Sequence, residues 1–593
     1  MPVPENNHLD GDDAASSRAP TMGAYSDTTP LLRSETTSRT SRSSSVSGAA
    51  SPPCAAAAGL DEPNVKVSPR RGVSIALSVY VLIFLQASNM SGMTMAQSTI
   101  AAELDAYEHA MWFTSSYLIA MSSFGPLAGR LAAIFSPRTI ILFTSAFFVA
   151  GAMLSAAATS LPVFLLGRVV TGLGGAGIFT TAMILVLELT SKRRRGLFVG
   201  LVNTGFTTGV SLGAVVFGEL VPVTGWRFLF WIQTPLAALA GLGVYFSLPA
   251  SFRPEKNDEE VSTFAKLKRI DYLGAFTLTG TLVLFLYGLS GTIQIIPILV
   301  SACTLVAFVL FEYYVASDPI IPVVVLQNRG ALLSCLAQLG FMATRWTVLF
   351  YAPITALAVF GFSPGASGSM LIPTNLGFGA GGLIVGWLHV KRAGSFWLPS
   401  LVSMALFGLS LFMLSFASNP SVPTWVYVAI LFANGLCTGA TLNYTLAHLL
   451  HLTPSSTHYI ATSLLATFRG FAGSFGTAIG GGIFVRSLRD GLEQGFMTVD
   501  GTDKLSDARQ LLIKRLVGSP ALVHDGGLST VDHHVAVDGY VAGLKVLFQA
   551  AVVLSAIVLV LQAATGWNGP KDQDEDVEEV RQALAQSDPE YEA

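Results

Sequence analysis

Three arginines lie inside long apolar stretches of the chain, where a charged side chain is unusual. Arg168, Arg345 and Arg469 are each flanked on both sides by apolar, small or hydroxyl residues. A charge at membrane depth is costly and normally faces the protein interior with a partner and a function. Arg168 is therefore expected to tune the proton affinity of a central cavity, or to tie backbone carbonyls. Arg345 could contact an anionic group on a substrate, and Arg469 could instead snorkel to an interface.

A second set of charges lies where apolar stretches end. Glu188 precedes a basic segment, and Arg130 and Arg138 flank a short loop. An ion pair between Glu188 and either arginine would contribute about 1 kcal/mol, which could bias a two-state protein without locking it. The alternative is an ordinary solvated helix end.

Neutral polar residues within the apolar stretches are candidates for hydrogen bonds to a substrate in a cavity. Each could equally be a tie between helices, as is common in membrane bundles. These candidates are Asn89, Gln97, Asn203, Gln338, Asn375, Asn434 and Asn443. Acidic residues occur only toward the ends of the stretches, so no proton-carrying group is identified.

Small residues that recur every fourth position predict close helix packing or a gating hinge. Gly205, Gly209 and Gly213 follow this spacing, and Gly172 lies in another glycine-rich stretch.

These residues must be positioned by membrane-spanning helices. The chain contains about fourteen apolar segments near the ~20 residues that cross a bilayer as a helix. Apolar residues make up 51% of the sequence and charged residues 12%, against roughly 25% charged in soluble domains. Lipid cannot satisfy free backbone groups, and the long solid runs do not fit a closed barrel. The predicted fold class is an all-α polytopic membrane protein.

Several function classes find no support in the sequence. No glycine-rich phosphate loop is present, so an ATP-driven enzyme is not expected. The four cysteines are widely spaced, and His448, His451 and His458 lack acidic or cysteine neighbours, so no metal is expected. No cofactor and no nucleic-acid partner are predicted.

Lysines and arginines alternate between the predicted loops. The even-numbered loops carry them, whereas the odd-numbered short loops carry only Arg227. By the positive-inside rule both termini are cytosolic. The predicted organisation is a disordered tail at 1–70, a first half at 71–250, a linker with two inserted helices at 251–328, a second half at 329–567 with a long non-cytosolic loop at 486–542, and an acidic tail at 568–593.

Three motifs resemble those of major facilitator transporters. They are the Arg-plus-glycine stretch Gly167 to Gly177, the loop Gly129 to Arg138, and the antiporter-like stretch Gly205 to Gly213. With fourteen spans the chain resembles the drug:H+ antiporter branch from about residue 73 to 567. Within it, Ser363 to Gly394 and Phe468 to Gly476 are most similar to fungal vacuolar basic amino acid transporters and their multidrug relatives.

The resemblance implies two six-helix halves, an inserted helix pair outside their symmetry, and a midplane substrate site exposed alternately to each side. The sequence departs from the family pattern at several functional positions. Asn89 stands where the family often has a membrane Asp. The loop motif has Ala133, Ser136 and Pro137, and the antiporter motif has Ala214 and Phe217, in place of the usual residues. These changes concern coupling and gating, not the fold.

The predicted function is a secondary transporter, with proton antiport of a small organic solute out of the cytosol. Basic amino acids delivered to the vacuole are one candidate solute. A cationic substrate would be expected to bind a carboxylate, and acidic residues are scarce in the spans. Efflux of a drug, toxin or amphiphilic metabolite from the cell is the alternative, and a non-transporting nutrient sensor is a remote one. Asp27, Leu31 and Leu32 match an acidic dileucine sorting signal for an adaptor protein, which favours the vacuolar membrane over the plasma membrane.

Overall fold

The structure is a computed structural model. It describes residues 68–190, 195–249, 270–290, 293–315, 328–389, 395–453 and 458–567. The sorting residues Asp27, Leu31 and Leu32 lie outside these ranges, as do the predicted C-terminal tail and all of the predicted N-terminal tail except residues 68–70.

Fourteen long helices make up most of the described chain, and they match the predicted apolar segments in order. They are α1 (Pro69–Glu103), α2 (Trp112–Ile134), α3 (Pro137–Ala156), α4 (Leu161–Leu189), α5 (Arg195–Thr224), α6 (Trp226–Ser247), α7 (Tyr272–Leu289), α8 (Ile295–Tyr314), α9 (Arg329–Ala358), α10 (Leu371–Leu388), α11 (Trp397–Ala417), α12 (Thr424–Leu452), α13 (His458–Asp500) and α14 (Thr530–Ala563).

Twelve helical spans among the described residues are long and apolar enough to cross a membrane. One of them joins α10 to the five-residue helix Pro364–Gly368 that precedes it. The helices α2 and α13 fall outside this set. The all-α membrane fold is confirmed, whereas a count of fourteen spans stays a prediction.

Side-chain caps define where several helices begin. The hydroxyl of Ser136 accepts from the backbone N–H of Thr139 at 3.3 Å, with Pro137 in the first turn of α3. Asn328 and Asp271 cap α9 and α7 in the same way. Such caps satisfy backbone donors that have no partner inside the helix. Ser136 and Pro137 depart from the family motif, and here they start a helix.

The region 486–542 differs from the predicted loop. Helix α13 continues to Asp500 and α14 begins at Thr530, while the segment between them contains a further helix, Asp507–Gly518. The sequence-based boundaries followed apolar runs, but helix α13 extends into a polar segment. Leu488, Leu492 and Phe496 form one fully buried stripe on α13. Their spacing of four residues buries one face while charged residues occupy the others.

The neighbours of α1 to α6 repeat in α9 to α14. Helix α1 packs on α5 and α6, as α9 packs on α13 and α14. Helix α4 packs on α2 and α3, as α12 packs on α10 and α11, and α3 contacts α6 as α11 contacts α14. We call these sets the first and second six-helix groups.

The remaining two helices form a hairpin beside the seam between the groups. Helix α7 packs on α8 and contacts both α2 and α13. The rings of Trp112 and Tyr287 lie 5.9 Å apart, and Phe285 lies 5.8 Å from Phe475. The hairpin therefore touches both groups from outside their repeated pattern.

We call the end of the bundle that carries Asp507–Gly518 the upper end. Close contacts between the groups lie there: an added Cβ on Gly218 would be 2.5 Å from the backbone of Pro364, and one on Gly368 would be 2.6 Å from Ala214. Toward the lower end of the same bundle, a Cβ on Gly200 of α5 or Gly470 of α13 would meet no atom within 4 Å. Gly218 and Gly368 therefore allow the backbones of the two groups to approach closely at the upper end.

Candidate functional site

Helix α4 places Arg168 in the interior of the first group, with none of its surface exposed. Its Nε donates to the carbonyl oxygen of Phe113 at 2.8 Å, and its Nη1 donates to Oδ1 of Asn89. The amide of Asn89 in turn donates to Oε1 of Gln233 at 2.9 Å. One guanidinium therefore joins α1, α2 and α4 directly, and α6 through Asn89.

Aromatic rings surround the same guanidinium. Its central carbon lies 4.7 Å from the ring centre of Tyr117 and 6.0 Å from that of Phe230. Such cation–π contacts partly replace lost hydration. Nη2 of Arg168, Oη of Tyr117 and Oε1 of Gln86 are all buried without a hydrogen-bond partner. Buried polar atoms usually have one, so this cluster contains unused donors and an unused acceptor.

Helix α9 places Arg345 in the interior of the second group, only 3% exposed. Nη1 donates to Oγ1 of Thr374 and, at 3.1 Å, to Oδ1 of Asn434. Nη2 donates to the carbonyl oxygen of Thr374 and to Oδ1 of Asn375, both at 3.3 Å. Four oxygens from α10 and α12 thus form a polar cage around this charge.

A second layer of hydrogen bonds connects this cage to other helices. Nδ2 of Asn434 donates to Oγ of Ser410 in α11 at 2.9 Å. Nδ2 of Asn375 donates to Oγ of Ser211 at 2.8 Å. Since Ser211 belongs to α5, the second bond crosses from one six-helix group to the other.

Both arginines are held by neutral partners. The buried acidic residues of the described chain are Asp271, at the start of α7, and Glu312, near the end of α8. Neither lies among the atoms that contact Arg168 or Arg345. Removing a charge from water without a counterion is expensive even where hydrogen bonds are made, so the immediate surroundings of each of these two arginines are electropositive.

The other predicted charges lie away from these networks. Arg469 of α13 is half-buried, and among the described residues no hydrogen-bond partner accompanies it. Arg138 stacks over the ring of Tyr245 at 4.1 Å, which joins α3 to α6 at the lower end. Arg130 and Glu188 are both half-buried, and their pairing stays a prediction.

The seven neutral polar candidates separate into two sets. Asn89, Asn375 and Asn434 contact the two arginines. Gln338 and Asn443 join helices of the second group, with Thr445 donating to Gln338 at 3.4 Å and Asn443 donating to the backbone of α10 at 3.3 Å. Gln97 is half-buried, Asn203 is exposed, and neither contacts an arginine network.

The predicted glycines lie at close helix crossings. An added Cβ on Gly172 would be 2.4 Å from the carbonyl oxygen of Tyr117 in α2. On Gly209 and Gly213 it would be 2.6 Å and 2.4 Å from backbone atoms of α1, and on Gly205 3.1 Å from the ring of Tyr80. Cβ atoms essentially never approach backbone as closely as they would at Gly172, Gly209 and Gly213, so these three glycines allow the crossings of α4 with α2 and of α5 with α1. The contact at Gly205 is tight, but a small shift of the Tyr80 ring could relieve it.

The sequence interpretation missed two features of this region. Gln233 is a polar residue inside an apolar stretch, a signal that could have placed it among the candidates. The other feature is an aromatic series across the boundary between the groups. Neighbouring rings lie 5.9 to 6.3 Å apart, and the series consists of Phe179, Phe206, Trp346 and Phe350. Its members come from the consecutive helices α4 and α5 and from α9, which is more than 100 residues further along the chain. No local sequence pattern therefore predicts the series.

The comparisons with known proteins agree with this architecture. The chain is 29% identical over 384 residues to the vacuolar membrane amino acid uptake transporter fnx2 of Schizosaccharomyces pombe. The alignment covers 63% of this chain and 65% of fnx2. It is 26% identical over 511 residues to the efflux pump FUS6 of Gibberella moniliformis, covering 82% and 86%.

Among solved structures, a bacterial homologue of the human lysosomal transporter Spinster matches with a TM-score of 0.57 and 13% identity, covering 84% of this chain and 98% of that one. At this identity the likeness concerns the fold alone. The model of the Major Facilitator Superfamily matches residues 77–477. Because this match spans more than half of the chain, the protein belongs to the Major Facilitator Superfamily.

Proposed function

We propose that the protein is a secondary active transporter that moves a small organic solute by rocking its two six-helix groups around a central site. The observation that carries this proposal is the repeated helix pairing, with one buried arginine network in each group. The Asn375–Ser211 hydrogen bond connects the two groups. Two similar halves around a midplane site are what alternating access requires.

The direction follows from the charges of the loops. Among the described residues, Arg130, Arg138 and Arg329 of the predicted even-numbered loops lie at the lower end, so we assign that end to the cytosol by the positive-inside rule. We further propose that the close contacts at the upper end seal the non-cytosolic side in this conformation, so that the central site is reached from the cytosol. A solute would enter from the cytosol and leave into the vacuole or outside the cell.

Two solute classes follow from the relatives. Similarity to an amino acid uptake transporter of the vacuolar membrane supports amino acids. Similarity to an efflux pump over a larger share of the chain supports export of a solute from the cell, for which we propose a drug, toxin or amphiphilic metabolite. We propose proton antiport as the driving reaction in both cases.

The test is uptake into sealed vesicles that contain the full-length protein, with and without an imposed proton gradient. The panel should contain basic, neutral and acidic amino acids together with amphiphilic dyes. We expect gradient-dependent accumulation of at least one class, and none in protein-free vesicles. A transport rate that is the same with and without the proton gradient would contradict proton coupling. The absence of transport for every solute on the panel would contradict the transporter function.

The membrane in which the protein acts can be tested separately. We propose that Asp27, Leu31 and Leu32 direct it to the vacuolar membrane through a sorting adaptor. Replacing both leucines by alanine in a fluorescent fusion should shift the protein to the cell surface, whereas Leu60→Ala in the same tail should not. An unchanged distribution would show that the motif is inert.

A further inference from the structure

The two buried arginines constrain the charge that a transported solute can carry. Arg168 and Arg345 bring two positive charges into the bundle, and all their hydrogen-bond acceptors are neutral oxygens. Where water is largely excluded, charges interact more strongly than in solution. A cation between the two groups would be repelled by both guanidinium groups, whereas an anion would be attracted. This inference rests on the proposed transport function.

Arg345 is the arginine that an anion can reach with the smallest rearrangement. Within the described part of the chain, its Nη2 donates two hydrogen bonds, both at 3.3 Å, which is beyond the usual range of strong N–H···O bonds. One acceptor, Asn375, is half-buried at the boundary between the groups. A carboxylate binds guanidinium through charge-assisted, often bidentate hydrogen bonds that are roughly twice as strong as neutral ones. It would therefore displace the amide oxygen of Asn375.

Displacement of Asn375 has a consequence for the contact between the groups. The same side chain donates to Ser211 of α5 at 2.8 Å. Ser211 lies one helical turn from Ala214, which packs against Gly368 at the upper contact. If Asn375 leaves Arg345, its amide turns and the bond to Ser211 is lost. Anion binding would then loosen the upper contact, which is the movement that a solute must cause to leave on that side.

We propose that the transported solute carries a carboxylate or similar anionic group, which replaces Asn375 on Arg345 and breaks the Asn375–Ser211 bridge between the six-helix groups. Asn375 is thus a positioning residue that links solute binding to the conformational change. A purely cationic solute, such as an amine without a carboxylate, lacks the group needed to do this.

Charge preference can be measured with three solutes that share one side chain. N-acetylphenylalanine is an anion, phenylalanine a zwitterion and phenylalaninamide a cation. In vesicles with the full-length protein, the anion and the zwitterion should inhibit or undergo transport at least tenfold better than the cation. Arg345→Gln should remove that preference, while Arg515→Gln, which removes an exposed positive charge, should keep it. Equal or better action of the cation, or no difference among the three solutes, would overturn the proposal.

The bridge can be tested by accessibility of the upper contact. Ser367 is fully buried there, so Ser367→Cys reports its opening to a membrane-impermeant thiol reagent, with the parent protein as background. N-acetylphenylalanine should raise labelling severalfold, and Ser211→Ala should raise it without any solute. Unchanged labelling in both cases would refute the bridge.

The two proposals fail in different ways. If phenylalaninamide moves and N-acetylphenylalanine does not, only the anionic preference is wrong. If no solute on the full panel moves across the vesicle membrane, the transport function is wrong.

Discussion

The two six-helix groups each contain a buried arginine, but the arginine and its asparagine partner lie on different helices in the two groups. In the first group the arginine is on α4 and the asparagine that accepts from it is on α1. In the second group the arginine is on α9, which corresponds to α1, and an accepting asparagine is on α12, which corresponds to α4. The charged and neutral partners have exchanged helices between the halves.

The surroundings of the two charges differ as well. Arg168 contacts aromatic rings, has an unused Nη2, and its contacts stay within its own group. Arg345 is surrounded by four oxygens and is linked through Asn375 to the other group. We infer that Arg168 holds the helices of the first group together, whereas Arg345 is sensitive to how the two groups are placed against each other.

Arg168→Ala should have the largest effect. It removes the only direct tie between α1, α2 and α4 in this network and leaves Asn89 without its charged donor. We expect proton-coupled transport to be abolished in a protein that is still folded and correctly localised. Arg168→Lys should recover only part of it, because lysine lacks the planar fork that holds two partners.

The measurement is gradient-driven transport normalised to the amount of protein in the membrane. Near-normal transport by Arg168→Ala would reduce the residue to a packing role. Loss of the protein from the membrane would instead indicate that Arg168 mainly stabilises the fold.

Matched glycines test whether the repeated crossings are equally tight. A Cβ on Gly209 would be 2.6 Å from the backbone of α1, and one on Gly476 would be 2.4 Å from the backbone of α9. Overpacking of this kind costs roughly 1–3 kcal/mol. Gly209→Ala and Gly476→Ala should therefore both lower the thermal stability of the purified protein.

The same helices provide the controls for these glycines. Gly200 of α5 and Gly470 of α13 have open space around them. Their replacement by alanine should be neutral or slightly stabilising, since alanine favours a helix by roughly 1 kcal/mol over glycine. A destabilised control, or an unaffected Gly209→Ala variant, would contradict the packing interpretation.

Asn89→Asp tests the neutral character of the first network. It places a titratable carboxylate directly on Nη1 of Arg168, where the family often has an acid. The pH profile of transport should gain an inflection that the parent lacks, with a change in rate of a few-fold. Asn434→Asp provides the matched change beside Arg345, and we expect it to weaken anion binding. Identical pH profiles for parent and Asn89→Asp would show that this position does not take part in coupling.

The smallest effect is expected outside the membrane, at the upper segment. Arg509 donates to Asp500 at 2.9 and 3.0 Å and to Asp532 at 2.6 Å. The hydrogen bonds from Arg509 hold the pKa of Asp500 below its ordinary value. The resulting stabilisation is present above that ordinary value and is lost as the pH falls through the lowered pKa.

Arg509→Gln should therefore weaken hydrogen-exchange protection of residues 501–529 slightly at neutral pH. The difference between variant and parent should shrink in acid, where the parent has also lost its ion pair. An equal difference at both pH values would argue that Arg509 acts through packing on Phe496, whose ring lies 4.6 Å from the guanidinium.

Apolar run length was sufficient to predict the helices, because a segment in lipid must satisfy every backbone group internally. It failed at α13 and α14, where the helices continue beyond the apolar run and α13 carries a buried stripe that packs on α14 and on the segment between them. The family followed from local motifs such as Gly167 to Gly177, whose glycines and arginine are adjacent in the chain.

The sequence by itself determined that Arg168 and Arg345 must be buried and partnered, since a charge inside an apolar helix has few other stable positions. Only the tertiary structure decided which residues accept hydrogen bonds from these arginines. Asn89 lies 79 residues from Arg168, and Asn434 lies 89 residues from Arg345. No helical periodicity relates such positions, because they meet only through the packing of whole helices. The bridge from Asn375 to Ser211 depends further on how one six-helix group is placed against the other.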